Sequence, residues 1–280
     1  MEELKKLLEM GIINIDKPSG PTSFSVTDFV RKSLGVKKCS HMGTLDPKVT
    51  GVLPITISRA CKLARFFIRH NKSYVGILHC HKKQETKKIQ KIIDENFTGK
   101  IEQIPPHKSS VKRAKRTREV YYWKIIEESE NKKDFLFECH VEGGTYIRKL
   151  CSDLGEKIGG AHMAQLRRTK AGIFGEESSI RLNDFEEAVK KWKSGEEGPL
   201  KKMIVPAEES IKKILKTANV DKRALLSLYN GKPLFKNDLS EEPKLELGED
   251  FALFCGKIFV GTYKKTSEEK VFARPTFVYN

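Results

Sequence analysis

The sequence predicts a chain of mixed α/β class (α+β), with a smaller β-rich domain at its C-terminal end. Its 280 residues correspond to about two domains at ~150 residues each. Strand-like and helix-like apolar patterns alternate up to about residue 216. Beyond that point the apolar segments become short and are separated by turn signals such as Asn230-Gly231. We therefore expect one domain over residues 1–216 and a second over residues 217–280.

The individual elements follow from hydrophobic periodicity and from the positions of proline and glycine. Residues 11–16 form an apolar run that ends in a Pro/Gly cluster at residues 17–21, which predicts a strand and then a turn. Ser23 or Ser25 is expected to cap a helix over residues 26–34, because apolar side chains recur there three and four positions apart. The other predicted elements are a loop (40–51), a helix (60–67), a strand (74–81), a helix (89–97), two paired strands (120–126 and 134–141), a helix (145–158) and a helix (205–215).

Composition and charge favour a folded protein that binds nucleic acid. Lys and Arg number 53 against 37 Asp and Glu, which gives a net charge of +16. An excess of this size indicates a polyanionic partner, most often a nucleic acid and less often an acidic membrane surface. Apolar residues make up 38% and charged residues 32% of the chain, which argues against an intrinsically disordered protein.

Signals for membrane insertion and secretion are missing from the sequence. The longest apolar candidate, Phe251–Val260, is interrupted by Gly256 and Lys257 and is shorter than the ~20 residues of a membrane-spanning helix. Residues 1–10 contain three acidic side chains and no small-residue cleavage site, so we expect no signal peptide. The six cysteines form no C-x-x-C pair, which predicts reduced thiols in a cytoplasmic protein.

The sequence also predicts no metal ion and no cofactor. His79-Cys80-His81 would place two imidazoles on one face of a strand, but no third or fourth ligand follows at a spacing typical of a metal site. The chain has no phosphate-binding loop and no G-x-G-x-x-G segment.

One loop carries a carboxylate in a constrained position. Pro47 forces Asp46 into extended geometry, and Gly43 and Gly51 permit a tight loop around it. Such a loop can present one carboxylate at a fixed angle. An ordinary Asx turn explains the same local pattern, so the choice depends on the rest of the chain.

Five segments in a fixed order decide that choice. They are Asp16-Lys17-Pro18-x-Gly20-x-Thr22-Ser23, His41-x-Gly43-Thr44-Leu45-Asp46-Pro47-x-x-Thr50-Gly51, Lys72-x-Tyr74, Gly144-Thr145-Tyr146-Ile147-Arg148 and Leu166-Arg167-Arg168-Thr169. Together they resemble the ordered motifs of the TruB family of pseudouridine synthases over about residues 10–175. Further segments resemble the archaeal and eukaryotic dyskerin-type branch of that family: Asp46-Pro47-Lys48-Val49-Thr50-Gly51, Pro105-Pro106, Ser110-Val111-Lys112-Arg113, Arg116-Thr117-Arg118-x-Val120-Tyr121-Tyr122 and Ala161-His162-Met163.

The resemblance implies both a fold and a reaction. Residues 1–216 are expected to form a catalytic domain on a mixed, largely antiparallel sheet, and residues 217–280 a short PUA-like β-barrel that binds RNA. The reaction implied is the isomerisation of uridine to pseudouridine in RNA. It breaks the C1′–N1 bond and forms a C1′–C5 bond within one molecule, so it exchanges no electrons or groups and needs no cofactor.

The resemblance also implies three catalytic residues. Asp46 supplies the carboxylate that acts at the ribose or the base, as nucleophile or as general base. Arg148 pairs with Asp46, because a guanidinium keeps a neighbouring carboxylate ionised and fixes its orientation. Tyr74 stacks on the extruded base and carries a hydroxyl that can steer a proton. Without the motifs, Arg148 is expected to be a solvated helix residue and Tyr74 a core residue.

A second group of residues is expected to bind the substrate. Leu166 forms an apolar wall beneath the uracil, His41 fills the space that the flipped base leaves, and Lys17 orders the active-site loop or contacts phosphate. The basic run over residues 107–118 has the composition of a phosphate-binding surface loop, although a charge run is more often a solvated face. Its binding residues are expected to be Lys112, Arg113, Lys115 and Arg116.

Two modes of substrate selection and one inactive alternative follow. In the first mode an H/ACA guide RNA and small partner proteins select uridines in rRNA; the dyskerin-type segments favour this mode. In the second the enzyme acts alone on the T-arm loop of tRNA, and the two modes can coexist. The alternative of another class is an RNA-binding scaffold without activity, against which the joint presence of Asp46, Tyr74 and Arg148 argues.

The basic run generates a prediction about salt dependence. Replacing Lys112, Arg113, Lys115 and Arg116 by alanine takes away up to four lysine or arginine partners of RNA phosphates. Each phosphate that loses its partner is expected to reduce the slope of log K against log salt by roughly 0.7 to 0.9. RNA affinity therefore falls, while the reaction rate of RNA that is already bound changes little. An unchanged slope in binding titrations at several salt concentrations would show that the run is only a solvated face.

Overall fold

The structure is a computed structural model and describes residues 2–104 and 114–280. Its helices are α1 (Glu2–Met10), α2 (Ser23–Leu34), α3 (Ala64–Ile68), α4 (Thr86–Asn96), α5 (Ile147–Ile158), α6 (Leu182–Lys193), α7 (Gly198–Met203), α8 (Ala207–Ile211) and α9 (Leu225–Tyr229). Its strands are β1 (Gly11–Lys17), β2 (Cys39–His41), β3 (Thr50–Ile57), β4 (Lys72–Cys80), β5 (Gly99–Gln103), β6 (Arg116–Glu128), β7 (Asp134–Val141), β8 (Ala161–Ala171), β9 (Phe174–Gly175), β10 (Ile180–Arg181), β11 (Ile204–Pro206), β12 (Thr217–Asn219), β13 (Asp250–Cys255), β14 (Ile258–Lys265) and β15 (Ala273–Val278).

The larger sheet is mixed and largely antiparallel, which confirms the predicted fold class. Its strands follow the order β10-β1-β3-β8-β4-β7-β6-β5, with β11 beside β1, β2 beside β3 and β9 beside β8. Within the described residues, only the β1–β10 and β3–β8 pairs of this sheet are parallel. The central position of β8 and β4 matters because side chains of these two strands line the candidate site described below.

Alternation along β4 and β7 decides which face of the sheet is buried. Every second residue of each strand points into the core, as period-two geometry requires. Helices α4 and α5 cover that face with amphipathic stripes that include Ile89, Ile93, Leu150 and Leu154. The opposite face of β4 is only half-buried.

The helix predicted over residues 26–34 exists, but its cap differs from the expectation. α2 begins at Ser23, and the Thr22 side chain accepts a hydrogen bond from the Ser25 amide at 3.0 Å. Thr22 is therefore the cap, and the prediction of Ser23 or Ser25 was wrong. Ser23 is turned inward and instead holds the loop that carries Asp46 through two hydrogen bonds to Leu45.

Two predicted helices are replaced by shorter elements. Residues 60–67 split into a 3₁₀ turn (Ser58–Lys62) and α3. Of residues 205–215, only Ala207–Ile211 form an α-helix, α8. Val205 and Pro206 belong to β11, which pairs with β1, and Pro206 cannot occupy a helix interior. At residues 205–206 pairing with β1 determines the local structure, and the apolar periodicity does not.

The smaller sheet has the order β12-β13-β14-β15 and begins at Thr217. Its own core includes Phe251, Tyr263 and Phe272. A separate apolar cluster joins the two sheets and includes Ile12 and Phe254. The division into domains at residue 216 therefore stays a prediction, because buried contacts cross it. Among the residues described, no helix has the length and apolar content needed to cross a membrane.

Candidate active site

A cavity of about 570 Å³ opens between the loop that follows β2, the start of α5 and the buried face of β4 and β8. It is lined by His41, Gly43, Thr44, Leu45, Asp46, Val49, Ile68, Lys72, Tyr74, Gly144, Thr145, Tyr146, Ile147, Arg148, Met163, Leu166 and Arg168. Four of the five sequence motifs therefore meet in one place, although their residues are far apart in the chain.

Asp46 and Arg148 face each other at this cavity. An Nη2 atom of Arg148 lies 3.1 Å from Oδ2 of Asp46, and the side chains are 53% and 44% exposed. A pair this open to solvent contributes little to folding stability. Its effect is local, because the guanidinium places a positive charge beside the carboxylate at the edge of the cavity.

Lys17 holds the loop that carries Asp46. Its side chain is fully buried, and its ammonium group donates hydrogen bonds to the carbonyl oxygens of Pro18 (2.8 Å), Pro47 (3.0 Å) and Val49 (2.8 Å). Burial lowers the pKa of Lys17, and the nearby Asp46 carboxylate opposes that shift. This geometry favours loop ordering over phosphate contact for Lys17, because its donors are used inside the protein.

Ser23 holds the same loop from the other side of Asp46. The hydroxyl of Ser23 accepts a hydrogen bond from the Leu45 amide at 2.8 Å and donates one to the Leu45 carbonyl at 2.9 Å. The Gly20 amide donates to the Pro47 carbonyl at 2.9 Å. Both neighbours of Asp46 in the chain are therefore fixed to residues of the first motif.

Tyr74 and Arg168 form the opposite wall. Arg168 is 1% exposed, and its guanidinium donates to the carbonyls of Val52 (2.7 Å) and Gly43 (3.0 Å). Burial raises the pKa of the Tyr74 hydroxyl, and the charge and hydrogen bond of Arg168 partly offset the rise. Arg168 was not among the predicted site residues, although its position in the fifth motif was a signal.

The contact between β3 and β8 requires glycine at position 51. Gly51 has φ +102° and pairs with Arg168, and a Cβ atom there would lie 2.2 Å from the Arg168 carbonyl oxygen. Only glycine fits both the dihedral angle and the space. This close approach brings the start of β3, and with it the loop that precedes β3, against the strand that carries Arg168.

Lys72 is a second cavity residue that was not among the predicted site residues. It is buried, and its ammonium group donates to the backbone carbonyls of Ile68 (2.5 Å) and His70. Burial, with a smaller effect of Arg168, lowers the pKa of Lys72 to about 8. The Lys72-x-Tyr74 spacing was the available signal, because alternation along β4 puts both side chains on the cavity face.

The remaining predicted residues divide into three groups. Leu166 and His41 line the cavity, and burial together with Arg168 lowers the pKa of His41. Lys115 forms an ion pair with Glu102, and Arg116 begins β6. Lys112 and Arg113 lie outside the described residues.

Comparison with known proteins identifies the family. The model of the TruB family pseudouridylate synthase N-terminal domain matches residues 31–147, and that of the tRNA pseudouridylate synthase B C-terminal domain matches residues 148–212. The chain is 38% identical over 276 residues to the probable tRNA pseudouridine synthase B of Methanopyrus kandleri, with 96% of this chain and 80% of that protein covered. The chain belongs to the TruB family of pseudouridine synthases. As a TruB-family enzyme it isomerises uridine in RNA, which confirms the family and the reaction predicted from the motifs.

Further relatives and solved structures extend the likeness. The TruB-family protein named probable tRNA pseudouridine synthase B in Methanothermobacter thermautotrophicus is 44% identical over 211 residues, which are 75% of this chain and 64% of that protein. A Cbf5-Nop10-Gar1 complex matches with a TM-score of 0.87, 35% identity, and coverage of 99% of this chain and 86% of that one. An H/ACA RNP bound to a substrate RNA containing 2′-deoxyuridine matches with a TM-score of 0.87 and 32% identity, over 99% of this chain and 87% of that one.

The buried position of Lys17 generates a test of its role in this TruB-family enzyme. Lys17→Met removes the three hydrogen bonds of the ammonium group, two of which hold the Asp46 loop through the carbonyls of Pro47 and Val49. We expect a lower melting temperature and a fall of at least about 10²-fold in the single-turnover rate, because small displacements of reacting groups cost rate on that scale. RNA affinity should change much less.

The matched control is Lys48→Met, which removes a lysine from the exposed part of the same loop. It should keep both the melting temperature and the rate. A Lys17→Met enzyme with the rate of the unmodified protein would show that the loop keeps its geometry without this ammonium group.

Proposed function

We propose that this enzyme isomerises uridines in rRNA that an H/ACA guide RNA selects, and that Asp46 provides the reacting carboxylate. The observation that carries the proposal is the Asp46–Arg148 pair at 3.1 Å beside a cavity of about 570 Å³. The cavity combines this one carboxylate with an aromatic ring and an apolar wall, which are the features needed to hold a flipped pyrimidine.

The cavity walls suit a nucleotide that has left its stack. Extruding a base costs a few kcal/mol, and contacts in the pocket must offset that cost. The Tyr74 ring and the Leu166 side chain provide apolar surface for the two sides of the uracil. His41 lies at the loop that the incoming nucleotide has to pass and is expected to fill the space that the base vacates in the RNA.

The residues around the cavity divide the chemistry between them. The C1′–N1 bond of the uridine breaks, a C1′–C5 bond forms, one proton leaves C5 and one proton joins N1. The Asp46 carboxylate acts on the nucleotide as nucleophile or as general base. The Tyr74 hydroxyl, which interacts with the charge of Arg168, is assigned the steering of the proton that leaves C5.

Two findings bear on the choice of RNA. The solved structures compared above are a Cbf5-Nop10-Gar1 complex and an H/ACA RNP bound to a substrate RNA, which supports small partner proteins and a guide RNA for this chain. The net charge of +16 suits the docking of an extended RNA. The curated relatives carry tRNA pseudouridine synthase names, which supports the T-arm loop of tRNA as a second substrate.

The proposal extends to domains and location. Residues 1–216 act as the catalytic domain, and residues 217–280 act as a PUA-like module that binds RNA. The smaller sheet with its own core over residues 217–278 supports the second assignment. All six cysteines are free thiols in the structure, which suits action in the cytoplasm.

The role of Asp46 is tested by Asp46→Asn, which keeps the shape of the side chain and removes its charge. We expect RNA affinity to survive and the rate of pseudouridine formation to fall by at least about 10²-fold, as measured by mass spectrometry. Asp28→Asn is the control, because Asp28 is also paired with an arginine but lies on the outer surface of α2. Substantial turnover by Asp46→Asn would remove Asp46 from the reaction.

The choice of RNA is tested by single-turnover kinetics at saturating enzyme. A guide RNA that pairs on both sides of the target uridine supplies register, so guide plus partner proteins should raise the rate far more than they raise affinity. A guide with scrambled pairing arms is the control and should give no increase. If the enzyme alone converts uridine in an unmodified tRNA transcript as fast as the guided complex converts its target, the stand-alone tRNA synthase is favoured.

A further inference from the structure

Three imidazole rings meet at the end of β4 that lies away from Tyr74. The ring centroids of His79 and His162 are 5.1 Å apart, those of His81 and His162 5.6 Å, and those of His79 and His81 6.4 Å. None of the three residues lines the active-site cavity. The active-site cavity and its reaction therefore do not account for this histidine cluster.

The fold brings these rings together from two strands. His79 on β4 is directly opposite His162 on β8. His81 follows two positions after His79, so alternation returns its side chain to the same face. The His81 amide donates to the Gly160 carbonyl at 2.9 Å, which fixes the chain where it leaves the strand.

A carboxylate on a third strand orients one of the rings. Asp134 on β7 is directly opposite His79, and its Oδ1 lies 2.7 Å from His79 Nδ1. The other oxygen of Asp134 accepts a hydrogen bond from the Asn131 amide group at 3.3 Å. An ionised carboxylate can only accept, so the proton lies on Nδ1 and the lone pair of His79 lies on Nε2. A carboxylate behind an imidazole in this way is the usual support of a metal-ligating histidine.

We propose that His79, His81 and His162 bind a divalent cation of the Zn²⁺ class, with Asp134 orienting His79 and water completing the coordination. Imidazole nitrogens are preferred ligands of Zn²⁺, Ni²⁺ and Cu²⁺. With Zn–N distances of about 2.0 to 2.1 Å, the ring centroids of two ligands in a tetrahedral site lie roughly 5 Å apart. Two of the three observed separations are close to that value.

Binding requires the rings to turn. As the side chains stand, no group of three His, Cys, Asp or Glu side chains among the described residues is arranged so that it could hold a metal ion. His81 and His162 are exposed and His79 is half-buried, and rotation about χ2 of a histidine meets only a broad, shallow barrier. Closing the 6.4 Å separation between His79 and His81 therefore needs side-chain movement without a change of the strands.

The prediction of no metal rested on ligand spacing along the chain from His79. The third ligand instead comes from β8, more than eighty residues later. A bound ion would connect β4 and β8 directly, and β7 through Asp134. These strands carry Tyr74, Arg168 and the core at their other positions, so the site would act as a clamp on the sheet behind the active site.

The test uses the full chain, stripped with a chelator, and titrates Zn²⁺ by calorimetry and Co²⁺ by absorption spectroscopy. We expect one ion per chain and a visible Co²⁺ spectrum of tetrahedral type. Each of His79→Ala, His81→Ala and His162→Ala should weaken Zn²⁺ affinity at least about tenfold and abolish that spectrum. Asp134→Asn should weaken affinity by about 10- to 100-fold.

His140→Ala is the matched control, because His140 is a half-buried histidine on β7 that is hydrogen-bonded to Ser73. It should leave metal affinity and the Co²⁺ spectrum unchanged. Melting curves in chelator show whether each variant is folded, and Asp134→Asn keeps the three ligands in place if an alanine variant fails. Unchanged affinity in the folded His162→Ala protein, or no Co²⁺ spectrum in the unmodified chain, would overturn the proposal.

Discussion

The buried guanidinium of Arg168 holds the two walls of the active site together. Its backbone pairs with Gly51 on β3, while its side chain reaches the carbonyls of Val52 and Gly43 and the hydroxyl of Tyr74. A charge in the protein interior is costly unless hydrogen bonds surround it. Here the acceptors belong to the loop that carries Asp46 and to the strand after it. The Arg168 charge therefore has its hydrogen-bond partners only when the loop is in place against β8.

The charge around the cavity follows from this construction. Its lining, within the described residues, contains the cations Lys72, Arg148 and Arg168 and a single carboxylate, Asp46. Burial, with a smaller repulsion from Arg168, lowers the pKa of Lys72 to about 8. A surplus of positive charge in a concave site attracts a polyanion before any specific contact forms. Of the three cations, Arg148 forms the ion pair with Asp46.

Local signals in the sequence predicted much of the fold and part of the site. Alternation predicted β4 and β7, and spacing of three and four predicted α2 and α5, because each of these patterns reflects burial of one face. The Gly/Pro-rich segment around Asp46 predicted a loop with a fixed carboxylate. These features depend on residues that are close in the chain.

Features that depend on contacts between residues far apart in the sequence could not be predicted from such local signals. Residues 205–215 look helical but begin as a strand beside β1. Lys72 and Arg168 look like surface charges until the sheet encloses them. The histidine pair at the end of β4, His79 and His81, has its third partner on β8, which lies beside β4. In each case the deciding neighbour is remote in sequence.

The inward turn of Ser23 ties the first turn of α2 to the loop that carries Asp46. Ser23 is the first residue of that helix, and its hydroxyl makes both hydrogen bonds to Leu45, the residue before Asp46. Helix ends open more easily than helix interiors, and the Thr22 cap sets how often the first turn of α2 does so. Opening of this helix end would release the Leu45 amide from the Ser23 hydroxyl, so hydrogen exchange at that amide reports the order of the loop that carries Asp46 without any RNA present.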